Sequence, residues 1–194
     1  MKDLSAKSVT VYCGSSTTIA PRFLAAGAEL GRRLAEAGAT VITGAGYTGM
    51  MGAVADAAME AGGRVVGVIP QFMVDRGWHH RSLSTLEITE DMHARKSRMA
   101  ALSTAAVALP GGIGTFEELT EIITWRQLGL YHGNVVICNI DGYYDPLLAM
   151  MDRAVAENFL PADHRALYSV ATSAEEACRM ALADSELPEL SRKL

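Results

Sequence analysis

The chain lacks most of the features that would tie it to a polymer, a membrane or a metal. It has no basic block: 17 Lys and Arg against 22 Asp and Glu leave a net charge of −5 over 194 residues. Without a cationic patch, neither a nucleic-acid polymer nor an anionic membrane surface is an expected partner. No apolar run approaches spanning length. The segment that follows Met1-Lys2-Asp3-Leu4-Ser5-Ala6-Lys7 ends at Cys13-Gly14, too short and too interrupted for a signal peptide or a membrane helix. The three cysteines, Cys13, Cys138 and Cys178, make no Cys-x-x-Cys pair, which speaks against a disulfide framework or zinc site and for a reducing, cytoplasmic setting. His79 and His80 are adjacent, His93, His132 and His164 are scattered, and no His-x-x-x-His pair occurs, so no metal is expected. A Pro/Ser-rich linker, a fixed-period repeat and a charge block are all absent, and residues 1–194 read as one domain.

What is present is an alternation. Apolar runs of strand length fall at 8–13, 40–43, 64–69, 85–89, 105–109, 135–140 and 166–170, most of them continuous, as strands buried on both faces must be. Ala-rich segments of helical period lie between and after them at 21–37, 49–61, 92–103, 116–130, 145–158 and 174–183. Strand, helix, strand repeated this way implies right-handed crossovers and an α/β, Rossmann-like three-layer sandwich, with a central parallel sheet of about seven strands flanked by helices. Ligands of such sheets bind at the carboxyl ends of the strands. The stretch 70–84, which contains Trp78, His79, His80 and Arg81, reads as one long irregular loop, either a lid or a surface excursion.

Three strand ends are rich in glycine or hydroxyls. The first, Cys13-Gly14-Ser15-Ser16-Thr17-Thr18, offers backbone amides to an anion or simply N-caps a helix, with Cys13 a buried small residue or a nucleophile. The second, Gly44-Ala45-Gly46-Tyr47-Thr48-Gly49, carries Gly-x-Gly-x-x-Gly between a strand and a helix. A dinucleotide site would place an acid near the end of the next strand, but Ile69-Pro70-Gln71 stands there and the first acid is Asp75, so a mononucleotide or sugar phosphate fits better. The third is Pro110-Gly111-Gly112-Ile113-Gly114-Thr115-Phe116-Glu117-Glu118. Its glycines open the backbone at a strand end and a helix is expected to start at Thr115, which makes a phosphate cradle without the Gly-Lys-Ser/Thr ending of a triphosphatase loop. Thr115-x-x-Glu118 also spells a capping box, so spacing leaves Glu118 either a cap or a catalytic acid. Arg95 and Lys96 read as a solvated helix face or as site cations.

These residues resemble the LOG ("Lonely Guy") cytokinin riboside 5'-monophosphate phosphoribohydrolases, whose bacterial members were long labelled lysine decarboxylases. The segment from Pro110 to Glu118 is similar to the family's Pro-Gly-Gly-x-Gly-Thr-x-x-Glu signature and Met92-His93-Ala94-Arg95-Lys96 to its Met-His-x-Arg-Lys segment. Cys13 to Ser16, Gly44 to Gly52, Thr124-Trp125-x-Gln127-Leu128-Gly129 and Asp141-Gly142-Tyr143-Tyr144 follow in the family's order, over about residues 8–170. The resemblance implies hydrolysis of the N-glycosidic bond of an adenosine 5'-monophosphate, without a cofactor, by a homodimer. It implies Arg95 and Glu118 as the catalytic pair. Cys13, Gly14, Ser15, Gly44, Gly46, Gly49, Met92, Lys96, Gly111, Gly112, Ile113, Gly114, Thr115 and, across the dimer, Thr124 would then bind the nucleotide.

Two departures stand out. The family's second loop usually opens Gly-Gly-Gly, and the methyl of Ala45 is expected to narrow the phosphate approach. Gly77 stands where the family commonly has a substrate-contacting glutamate, which leaves base preference open and makes Trp78 or His79 the expected contact to the base. The decarboxylase label requires a Schiff-base lysine, and of Lys2, Lys7, Lys96 and Lys193 only Lys96 is internal. A nucleotide-binding sensor or carrier is the non-enzymatic alternative, against which the acid at Glu118 counts.

Overall fold

The structure is a computed structural model and describes residues 7–188. The leader reading concerns residues 1–14, of which 1–6 lie outside the described residues.

Seven strands form one parallel sheet: β1 (Ser8–Tyr12), β2 (Thr40–Thr43), β3 (Val65–Pro70), β4 (Thr85–Thr89), β5 (Ala105–Ala108), β6 (Asn134–Cys138) and β7 (Ser169–Ala171), in the order β4-β3-β2-β1-β5-β6-β7. The helices are α1 (Pro21–Glu36), α2 (Gly49–Glu60), α3 (Gln71–Asp75), α4 (Met92–Leu102), α5 (Ile113–Gln127), α6 (Asp145–Ala156) and α7 (Ala174–Leu182). Successive strand residues feed opposite layers. Val9, Val11, Val41, Val65, Val107 and Val136 pack with Leu30, Leu34, Val54 and Ala177 on one side, while Tyr12, Ile42, Val68, Ala106 and Ile137 pack with Met99, Leu119 and Ile122 on the other. This is the Rossmann-like α/β sandwich expected from sequence. Strand order reverses at β1, between β2 and β5, so the loops after β1 and β5 diverge there and leave a crevice at the carboxyl edge. Among the described residues, no helix is long and apolar enough to cross a membrane.

Four expectations are corrected. Helix α5 begins at Ile113, with Gly112 as its N-cap and no side-chain cap, so Thr115 lies inside the first turn and the capping-box reading fails. Its end at Gln127 is set by Gly129, whose φ of +71 reverses the chain while Leu130 N–H bonds Trp125 O. Strand β6 stops at Cys138 because Asn139 turns its side chain onto Tyr144 N–H and Asp145, opening a 3-10 turn. The last strand, expected at 166–170, runs from Ser169 to Ala171 and is preceded by the 3-10 turn Ala162–Leu167, whose buried Leu167 supplies an apolar position without being in the strand. Finally, 70–84 is not one irregular loop: α3 is terminated by Gly77 at φ +71, and the chain then lies against the second glycine loop through a Gly46–His79 bridge and a His80 N–H to Ala45 O bond of 2.7 Å.

Helices α1 and α2 pack closely because Gly31 offers no side chain; a Cβ there would lie 2.1 Å from Val54 O. Gly31→Ala is expected to force the pair apart and lower stability by about 1–3 kcal/mol, read as a lower midpoint in thermal or urea unfolding.

Candidate active site

Arg95 anchors the site. Helix α4 starts at the N-cap Asp91, whose carboxylate accepts Ala94 N–H at 2.7 Å, and this places Arg95 in the first turn beside the carboxyl ends of β2 and β3. Its side chain is buried, not solvated: Nε donates to Val68 O at 3.1 Å and Nη2 to Gly44 O at 3.2 Å. Nη1 faces Glu118 Oε1 at 3.5 Å and lies 3.9 Å from Met92 Sδ. Gly44 is glycine for this reason, since a Cβ on it would sit 1.7 Å from Arg95 Nη2.

Glu118, two turns into α5 at most, has a side chain only 11% exposed. Burial pushes its carboxyl up to about 7, against the lowering effect of Arg95 and with help from Glu117 and Glu121. At 3.5 Å the ion pair is longer than a direct charge-assisted hydrogen bond, so the guanidinium orients the carboxylate without saturating it. Next to this pair, Lys96 is also buried and bonds Glu117 and Glu121, the latter at 3.0 Å. Burial alone would lower the Lys96 ammonium, but those two hydrogen bonds outweigh it and hold it above its ordinary value. Lys96 therefore ties α4 to α5 and fixes the Arg95–Glu118 spacing. It is not among the residues that line the cleft, and its raised affinity for the proton is the opposite of what a Schiff-base lysine needs, so the residues do not fit pyridoxal phosphate.

The cleft beside Arg95 has a volume of about 340 Å3, with Ser15, Gly44, Gly46, Tyr47, Met51, Met73 and Trp78 in its wall. Of the residues expected to bind a ligand, Ser15, Gly44 and Gly46 are brought there with Arg95. Met92 opens α4 and touches Arg95 through its sulfur. Gly49, at φ +60, brings the start of α2 against Ser15 and Ser16. Gly14 is spoken for by protein: its N–H bonds Pro110 O at 3.1 Å and its carbonyl accepts Met51 N–H at 3.3 Å. Cys13 is buried beneath the loop, and burial raises its thiol far above the reactive range, which removes the nucleophile reading. The methyl of Ala45 does not narrow the approach. Ala45 is fully buried at φ +62 and its Cβ packs over Gly67 of β3, where a second side chain could not fit.

The third loop lies against the first, with Gly14 and Gly111 so close that a Cβ on Gly14 would be 3.2 Å from Gly111 Cα. Within it, the backbone amides of Gly111, Gly112, Ile113, Gly114 and Thr115 donate to no acceptor among the described residues, while Phe116 N–H starts the helical pattern at Gly112 O. Gly112, Ile113 and Gly114 are exposed at the N-terminus of the 15-residue α5. Such a set of amides, at the positive end of a helix dipole, suits a phosphate.

Thr124 is not part of this chain's cleft. It lies eleven residues beyond Ile113, roughly 16 Å along α5 at 1.5 Å per residue, exposed and bonded to Thr120 O. Sequence reasoning missed Tyr47, Thr48, Met51 and Met73 as lining residues; Met51 carries no signal beyond a helical apolar position, although its Sδ accepts Gly46 N–H at 3.0 Å.

Sheet order, switch-point crevice and three apposed loops define the class: a Rossmann-like α/β protein with a cleft at the carboxyl edge of the sheet. A family model described as possible lysine decarboxylase matches residues 51–181. A probable cytokinin riboside 5'-monophosphate phosphoribohydrolase, LOGL1 of Oryza sativa subsp. japonica, is 42% identical over 88% of this chain and 77% of its own length. The cytokinin riboside 5'-monophosphate phosphoribohydrolase LOG7 of Arabidopsis thaliana is 38% identical over 97% of this chain and 87% of its own. The chain belongs to this family, the LOG family. Solved structures of the molybdenum cofactor binding protein of Rippkaea orientalis (TM-score 0.70, 20% identity, 91% of this chain and 95% of that one) and of the molybdenum cofactor carrier protein of Chlamydomonas reinhardtii (0.69, 22%, 90% and 94%) share the fold.

Because Gly44 leaves room for Arg95, Gly44→Ala is expected to displace the guanidinium from Val68 O and Gly44 O and to cost about 1–3 kcal/mol of stability. A melting curve and a crystal structure of the variant check both.

Proposed function

We propose that the protein hydrolyses the N-glycosidic bond of adenosine 5'-monophosphates, N6-substituted ones included, releasing the free base and ribose 5-phosphate. The observation that carries this reading is the buried Arg95–Glu118 pair beside five amides that have no acceptor among the described residues, in a chain about 40% identical over most of its length to relatives named for that reaction. The amides from Gly111 to Thr115 hold the 5'-phosphate, and the ribose reaches from there toward Glu118. As the bond to the base breaks, positive charge develops on the ribose ring; the Glu118 carboxylate stabilises it and takes a proton from the attacking water. Arg95 keeps that carboxylate in place and offers donors to ribose oxygens. The base occupies the wall made by Tyr47, Met51, Met73 and Trp78, with Arg76 stacked 5.0 Å from the Trp78 ring. Gly77, needed at φ +71 to end α3, supplies no side chain, so base selection falls to this apolar and aromatic surface.

Residues 1–194 are taken as one such domain. The buried, unpaired thiols of Cys13, Cys138 and Cys178 fit a cytoplasmic setting. A homodimer is supported by the exposed Leu128 and Leu130 next to Trp125, an apolar surface at the end of α5 that carries Thr124. Light scattering of the purified protein is expected to give twice the monomer mass; a monomer overturns the dimer and the role of Thr124.

Purified protein incubated with AMP and with isopentenyladenosine monophosphate, without added metal, is expected to release base and ribose 5-phosphate. Glu118→Gln should be slower by about 10²–10⁴-fold, the scale of a lost general base. Since the carboxylate is the working form and titrates at about 7, kcat/KM should rise roughly tenfold per pH unit below that value and level off above it. Binding of both nucleotides without base release would replace the hydrolase reading with a sensor or carrier.

A further inference from the structure

The amides of Gly111 and Gly112 belong to a Gly-Gly pair that has no side chains to hold its peptide planes. Gly111 cannot be anything larger, because a Cβ there would lie 2.1 Å from Thr115 Oγ1 and 2.9 Å from Gly14 N. Something outside the turn must therefore fix it. Three consecutive carbonyls are held: Leu109 O accepts the Tyr144 hydroxyl at 2.7 Å, Pro110 O accepts Gly14 N–H at 3.1 Å, and Gly111 O accepts the Tyr143 hydroxyl at 2.5 Å. In a trans peptide the carbonyl and the following N–H point in opposite directions, and none of these bonds is cis. Holding Pro110 O toward Gly14 thus fixes the direction of Gly111 N–H, and holding Gly111 O toward Tyr143 turns Gly112 N–H away from the aromatic side. The Tyr144 bond precedes Pro110, which has no N–H, and so aims no donor.

Tyr143 is 38% exposed and is packed from one side. Asp141 and Gly142 both adopt left-handed φ values, +51 and +71, and Asp141 is pinned by Arg22 at 2.6 Å. The Tyr143 ring meets Phe23 edge-on at 5.9 Å, Tyr144 at 5.2 Å and Phe116, in the first turn of α5, at 6.5 Å.

We propose that Tyr143 is a positioning residue for the phosphate-binding turn: its hydroxyl locks the Gly111–Gly112 peptide so that Gly112 N–H is aimed at the anion. This rests on the phosphate site described above, but it can be tested without turnover. The probe is ribose 5-phosphate, followed by titration calorimetry on the full chain. Tyr143→Phe keeps the ring contacts and is expected to weaken ribose 5-phosphate by roughly ten- to a hundredfold, the worth of a charge-assisted hydrogen bond. Its melting temperature should stay within about 2 °C of wild type, and KM for AMP should rise more than kcat falls. Tyr144→Phe should do the reverse, lowering the melting temperature through the unsatisfied Leu109 carbonyl while ribose 5-phosphate affinity stays within about threefold. Affinity within twofold of wild type in Tyr143→Phe, an equal loss of affinity in both variants, or no binding of ribose 5-phosphate by the wild type would each overturn the proposal. Wild-type binding without base release from any nucleotide would instead remove the hydrolase reading and leave the two variants to decide the role of Tyr143.

Discussion

The structure around the cleft depends on how a buried guanidinium is satisfied. Arg95 is taken out of water at the junction of β2, β3, α4 and α5, where an unpaired charge would cost several kcal/mol. Val68 O and Gly44 O accept two of its five N–H donors, and Glu118 faces the guanidinium at 3.5 Å. Each of these demands something of the chain. Gly44 must lack a side chain, α4 must start at Asp91 so that Arg95 points back at the sheet edge, and Glu118 must face inward from α5 and not cap it.

The charges gathered there do not balance. Arg95 and Lys96 face Glu117, Glu118 and Glu121, and Glu118 is the carboxylate furthest from water. Burial acts first on Glu118 and, with the charges of Glu117 and Glu121, outweighs the lowering effect of Arg95 and Lys96, so its proton is held to about 7. A carboxylate that exchanges its proton near neutrality, held beside a fixed guanidinium, is the kind of group that can both steady a developing cation and accept a proton. The switch point supplies the remaining part, because only there do the loops after β1 and β5 lie close enough for Gly14 to bond Pro110 and leave the amides beyond it open.

Much of this was legible from residue order. Continuous apolar runs separated by Ala-rich helical segments fixed seven strands and their parallel arrangement, since strands buried on both faces cannot alternate with polar residues. Boundaries failed where side chains act on the backbone from a distance: Asn139 ending β6, Gly77 ending α3, and Gly112 admitting α5 two residues before Thr115. The Arg95-Lys96 and Glu117-Glu118 pairs were visible as motifs, but spacing could not tell a solvated face from a buried pair, nor a cap from an acid.

The sequence by itself determined the fold, the three glycine-rich loops and the family, because periodicity and local motifs are properties of neighbours along the chain. Tertiary structure alone decided which partner each charge takes: Glu118 for Arg95, Glu117 and Glu121 for Lys96, and the Tyr143 hydroxyl for the Gly111 carbonyl 32 residues away. It also decided that the methyl of Ala45 turns into the space over Gly67 and away from the cleft. Hydrogen bonds and packing at a distance depend on where elements cross, and that crossing is set by the whole sheet, not by any segment of it.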